Sequence, residues 1–159
     1  HGDSASSRAV GGPLLERWRA ALGPDDPDTL AAASILTVAL NELGDPEAAR
    51  VLGEDTLERS RRVLGPDRPA TLWTAAALTA SLVGLGAAAE TLGIGEDALR
   101  RSRQVLGPDH GTTLWTAVNV TVAHVLLGQA GAARILGEDT LERCRRVLGP
   151  DHPTTLWAA

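Results

Sequence analysis

Three tryptophans stand 42 residues apart, at positions 73, 115 and 157. Amphipathic aromatics at a regular rise serve as anchors for a partner's apolar side chains, so Trp73, Trp115 and Trp157 are candidates for recognition chemistry. The competing expectation is structural: each indole packs on the preceding unit and replaces aromatic volume missing elsewhere. His110 and His152 share the 42-residue spacing, but no third ligand recurs with them, and a loop or helix-cap role explains them better than a metal site. His124 falls on an apolar face and reads as a packing residue, not a base. Cys144 replaces Ser60 and Ser102 of the earlier units, which marks a small packing residue and not a nucleophile. The strings RSRR (59–62), RRSR (100–103) and RCRR (143–146) could stack into a basic stripe for phosphate. Interleaved Glu and Asp favour an internally paired, solvated face instead. No phosphate-cradling glycine loop follows a strand. These residues predict no enzyme, no metal site and no cofactor.

The elements that must position them are helical. Of 159 residues, 26 are Ala and 24 are Leu, while aromatics reach only 3% through four Trp. Strand-length β-branched runs are missing, which excludes an all-β fold. A net charge of −5 and an isoelectric point near 5.3 leave no basic field to attract phosphate backbones, so nucleic acid is not an expected partner. All 15 basic residues are Arg, a bias pointing to a GC-rich bacterial genome. No stretch approaches about 18 uninterrupted apolar residues, so no membrane partner and a cytoplasmic location are expected. The Ser- and Gly-rich residues 1–12 read as a flexible tag or linker. The single Cys excludes a disulfide framework.

An internal repeat organises the rest. LGPD recurs at Leu22, Leu64, Leu106 and Leu148, GED at Gly53, Gly95 and Gly137, and TL at Thr29, Thr71, Thr113 and Thr155, each at an interval of 42. A 42-residue unit holding two helical patterns predicts a helix-turn-helix solenoid. In the first unit, helix A runs from about Thr29 to Leu43 with Leu30, Ala33, Leu36, Leu40 and Leu43 at helical spacing. Gly44 ends it, Asp45 caps the next helix and Pro46 takes its first turn. Helix B runs from Glu47 to Leu64, burying Ala49, Leu52, Gly53, Thr56, Leu57, Ser60, Val63 and Leu64. Asp55 with Arg59 and Glu58 with Arg62 are four-residue acid–base pairs on its outer side.

Over residues 13–159 these strings resemble the tetratricopeptide repeat (TPR) in its 42-residue form, found in kinesin light chains and many bacterial regulators. The closest matches are TLAAASILTVALNELGDPEAARVLGEDTLERSRRVLGPDRP in the first unit and LLGQAGAARILGEDTLERCRRVLGPDHP in the third. The resemblance implies a right-handed all-α superhelix of antiparallel hairpins that binds a peptide or helix of a partner protein in a concave groove lined by helices A. This sequence departs from the family in carrying Leu40, Leu82 and His124 in helix A, and Gly53, Gly95 and Gly137 in helix B, where the family has aromatics. Helix B must therefore pack more closely on helix A.

Three repeats fit at about 27–65, 69–107 and 111–149, between half repeats at 13–23 and 153–159. The half repeats read as cut from a longer protein. Their Leu14, Trp18, Leu156 and Trp157 are expected to be uncovered, and weak head-to-tail self-association through them is the alternative function. Helix A positions facing away from the A/B seam supply the expected groove: Trp73, Trp115, Trp157, Asn119, Val38, Val122, Asn41, Val83 and Val125. Asn119 sits where peptide-binding relatives carry an Asn that hydrogen-bonds the ligand backbone. Ile35 and Ala77 at matching positions lack that amide.

Overall fold

The computed structural model describes the backbone of residues 3–159 and the side chains of 12–159. Eight helices follow one another: α1 (Asp3–Leu22), α2 (Pro27–Glu42), α3 (Pro46–Val63), α4 (Pro69–Gly84), α5 (Ala88–Val105), α6 (Gly111–Leu126), α7 (Ala130–Val147) and α8 (Pro153–Ala158). There is no strand among the described residues. Helices α2, α4, α6 and α8 are helices A; α1, α3, α5 and α7 are helices B. Each A packs on the preceding B and on the neighbouring A, and α2, α4 and α6 pack on their own B as well. No described helix is long and apolar enough to cross a membrane.

One correction concerns the N-terminus. Residues 3–12, read from the sequence as linker, belong to α1, which starts at Asp3; His1 and Gly2 lie outside the described residues. The bounds of α3 moved back one repeat fall on residues 4–21, so α1 has the full length of a helix B. The Gly11-Gly12-Pro13 string concealed this because those residues disfavour helix interiors.

Turn chemistry sets the helix ends. Glycines with positive φ recur every 21 residues, at 23, 44, 65, 86, 107, 128 and 149, so each helix from α1 to α7 ends at a left-handed stop that a Cβ would strain. After α2 the Asp45 N–H donates to the Leu40 carbonyl at 2.9 Å, closing the helix. Asp45 Oδ1 then accepts from the Ala48 N–H and caps α3. Prolines occupy the first turn of α2, α3, α4 and α8, where the missing N–H is no loss.

The core consists of small and β-branched residues around a few leucines. Leu57, Ala75, Leu78, Leu82 and Ala98 form one buried cluster joining α3, α4 and α5. Many threonines are buried too, and several of their hydroxyls bond four residues back along their own helix, as Thr37 does to the Ala33 carbonyl and Thr116 to Thr112.

The helix B glycines sit in the crevice between two helices A. A Cβ on Gly53 would lie 3.2 Å from both Thr37 Cγ2 and Leu78 Cδ1, and one on Gly95 would lie 2.7 Å from the buried Val120 Cγ2. Gly93, two residues earlier, faces open space. Gly95→Ala is therefore expected to lower the thermal midpoint, because overpacking of about 1–3 kcal/mol outweighs a helix-propensity gain of about 1 kcal/mol. Gly93→Ala keeps the gain alone and should raise the midpoint. Thermal melts of the two variants check the opposite signs.

Candidate functional site

Successive helices A pack closely on one another, whereas the backbones of successive helices B stand apart and are bridged by long side chains, as in the Arg19–Asp55 and Arg50–Glu90 ion pairs. A stack held together on one side and splayed on the other curves toward the packed side, so the helices A line the concave face. Between the splayed helices B lie two shallow cavities of about 460 and 410 Å³, floored by Leu57, Leu78 and Ile94 and by Leu99, Val120 and Leu136 respectively. They are repeat-equivalent gaps on the outer side, away from the tryptophans.

On the concave face, Trp73 of α4 and Trp115 of α6 form a tilted pair with ring centroids 5.2 Å apart and planes at 53°. Trp73 is 38% exposed and Trp115 half-buried. The contact arises because position 73 and its equivalent one repeat on face the same side of two packed helices. Trp157 continues the row on α8 and is exposed. Around them Val38, Asn41, Ala80, Val83 and Val122 are half-buried, and Ile35 and Val125 are exposed.

Other positions expected in the groove are consumed by packing between helices A. Ala76, Ala77 and Val118 are buried, and Ser34 Oγ lies 2.7 Å from Thr74 Oγ1. Asn119, expected to contact a ligand, is buried between α4 and α6. Its Nδ2 donates to the Ala76 carbonyl at 3.3 Å and to Thr79 Oγ1 at 3.0 Å. Asn41 Nδ2 likewise donates to the Ala77 carbonyl at 3.2 Å. Both amides tie one helix A to its neighbour.

The outer side carries an ion-pair ladder. Within helix B, Asp55 pairs with Arg59, Asp97 with Arg101 and Asp139 with Arg143. The first three LGPD aspartates also reach the arginine 34 residues on: Asp25 to Arg59 at 2.8 Å, Asp67 to Arg101 at 2.6 Å and Asp109 to Arg143 at 2.8 Å. Arg62 pairs with Asp25 rather than with Glu58 as its spacing predicts. The ladder between turn and following hairpin went unread in the sequence, although the constant offset of 34 residues in three copies carries it.

Hydrogen bonds from Arg59 and Arg143 hold the carboxyls of Asp25 and Asp109 below the usual aspartate value of 3.8. At Asp97 burial pushes the other way, and the bonds from Arg101 and Arg100 outweigh it. A carboxyl whose folded pKa lies below its unfolded one contributes stability above the unfolded value and loses it as pH falls through the folded value. The thermal midpoint is therefore expected to be flat near neutrality and to fall as pH drops through and below 3.8, with a smaller fall in high salt. Melts across pH at two ionic strengths check both.

The remaining candidates have structural roles. His110 and His152 Nδ1 accept from the N–H of Thr112 and Thr154, capping α6 and α8. His124 Nδ1 lies 2.6 Å from Gln129 Oε1. Cys144 is buried, and that burial pushes its thiol pKa up, away from nucleophilic use. Among the described residues no group of three or more His, Cys, Asp or Glu could hold a metal ion. At the two ends Leu14, Trp18, Leu156 and Trp157 are exposed.

Antiparallel hairpins stacked in one register, with a continuous inner face, define an α-solenoid of the kind that recognises other proteins. The family profile of the tetratricopeptide repeat matches residues 29–70, 71–111 and 113–154, and the chain belongs to that family. Tetratricopeptide repeats generally act as non-enzymatic protein–protein interaction scaffolds. A comparison with curated proteins found no match.

Proposed function

We propose that the concave face around Trp73 and Trp115 binds a peptide or helical segment of a partner protein, as the recognition module of a larger bacterial regulatory or signalling protein in the cytoplasm. The observation that carries this reading is the indole pair itself: two large amphipathic rings left partly exposed side by side on helices whose other faces are packed. Selection from a displayed peptide library tests it. Selected peptides should bind a Trp73→Ala/Trp115→Ala variant poorly and an Arg61→Ala/Arg103→Ala/Arg145→Ala variant nearly normally, because those arginines lie on helices B. The reverse pattern would place binding on the outer face.

A second reading, weak head-to-tail stacking of copies, is supported by the end faces. Leu156 is 63% exposed, whereas its equivalents Leu30, Leu72 and Leu114 are at most 3% exposed. Asp151 ends the row of LGPD aspartates, and Arg17 occupies the position equivalent to Arg59, so a second copy in register would pair them. Helix α8 has only 6 residues, which limits the strength of such a contact. Sedimentation should show mass rising with concentration, reversed by Trp18→Glu or Trp157→Glu. A monomer at every concentration contradicts stacking.

A further inference from the structure

The hydrogen-bonding character of the concave face narrows the ligand, given the concave-face reading above. Helix α4 contains no ionisable residue, α6 contains only His124, and α2 has Asp28 and Glu42 at its two ends. A charged segment would be desolvated there without a partner. The lining residues that reach solvent are aliphatic apart from the indoles and Asn41. The Asn41 amide is spent on the Ala77 carbonyl, and its Oδ1 is buried. Among the described residues no hydrogen bond engages the indole N–H of Trp73, Trp115 or Trp157. Around Trp73 and Trp115 the lining side chains therefore offer N–H donors, and the carboxylate acceptors of the concave face stand apart at the two ends of α2.

An ordinary extended peptide presents alternating N–H and carbonyl groups. Each N–H buried here without an acceptor weakens binding by roughly five- to a hundredfold. A backbone with carbonyls and no N–H groups avoids that loss and matches the donors. We infer that the segment this groove takes is an uncharged, proline-rich one in the polyproline II conformation, its rings lying on Trp73 and Trp115 and its carbonyls accepting from the indole N–H groups. The conformation is also formed before binding, so little chain entropy is lost.

Calorimetry on the full chain tests this with three capped, uncharged peptides of about twelve residues, a length of roughly 37 Å in polyproline II. One is oligoproline, one a Val/Ser/Gln peptide without proline, and one an Ala/Leu/Gln helix former. Oligoproline is expected to saturate the groove, with the other two at least about tenfold weaker. Trp73→Phe/Trp115→Phe keeps aromatic surface and removes two donors. It should weaken oligoproline binding by about tenfold with its circular dichroism unchanged. Tighter binding of either proline-free peptide would overturn the inference and leave the concave-face reading standing. Equal oligoproline affinity in the phenylalanine variant would overturn the donor argument. Absence of binding by all three peptides would contradict both readings, and the wild-type comparison decides the matter even where the variant fails to fold.

Discussion

Removal of residues 111–159 is expected to lower the midpoint of thermal unfolding sharply while leaving a helical remnant. The deletion takes away α6, α7 and α8. In the whole chain α6 covers the buried Ala76 and Thr79 on α4, which Asn119 engages, and packs against α5 through Val120 and Gly95. Without it, those residues open to water. Leu114, Val118 and Val120 on the removed side are also buried, and burial of such side chains contributes about 1.5–3 kcal/mol each against a total stability of about 5–15 kcal/mol. In a solenoid each repeat is stabilised by its interfaces with neighbours more than by itself, so losing one interface costs more than the removed residues' own share. The Asp109 pairs with Arg143 and Arg146 also vanish, a smaller loss at exposed sites. Circular dichroism melts of the two chains measure the difference. An unchanged midpoint would show that coupling between repeats does not hold this molecule together.

The second large effect concerns binding. Trp73→Ala/Trp115→Ala is expected to reduce affinity for a library-selected peptide below detection. Central aromatic residues of an interface commonly cost 2 kcal/mol or more when truncated, which is about thirtyfold apiece. The stability change should be much smaller, because Trp73 is 38% exposed and the ring–ring contact contributes about 0.5–1.5 kcal/mol beyond its area. Binding isotherms and melts on the same variant separate the two. A variant that retains affinity, or one that no longer folds, would assign the indoles to the scaffold instead.

The repeat length, the hairpins and most turn residues were legible because they rest on local chemistry that recurs. Gly44, Asp45 and Pro46 each have a mechanism that needs no knowledge of neighbours. Asn119 was misplaced for the complementary reason. Its position faces away from helix B, as helical periodicity requires, but periodicity says nothing about which element comes next on that side. The neighbour is α4, and Asn119 bonds across to it. The short side chains at positions 76 and 77 signalled that approach, since a face of Ala admits a second helix where larger residues would hold it off. The pairing of Asp25 with Arg59 is likewise a contact between separate turns and helices, visible in the sequence only as a constant offset.

The most direct test of the concave-face reading uses the indole N–H resonances of the four tryptophans in a nitrogen-15-labelled chain titrated with a selected peptide. Trp18 lies on α1, a helix B, and serves as an internal reference away from the proposed site. Saturable shifts at Trp73 and Trp115, with Trp18 unmoved, are the expected result. Shifts at Trp18 with Trp73 and Trp115 silent would contradict a binding face formed by the helices A.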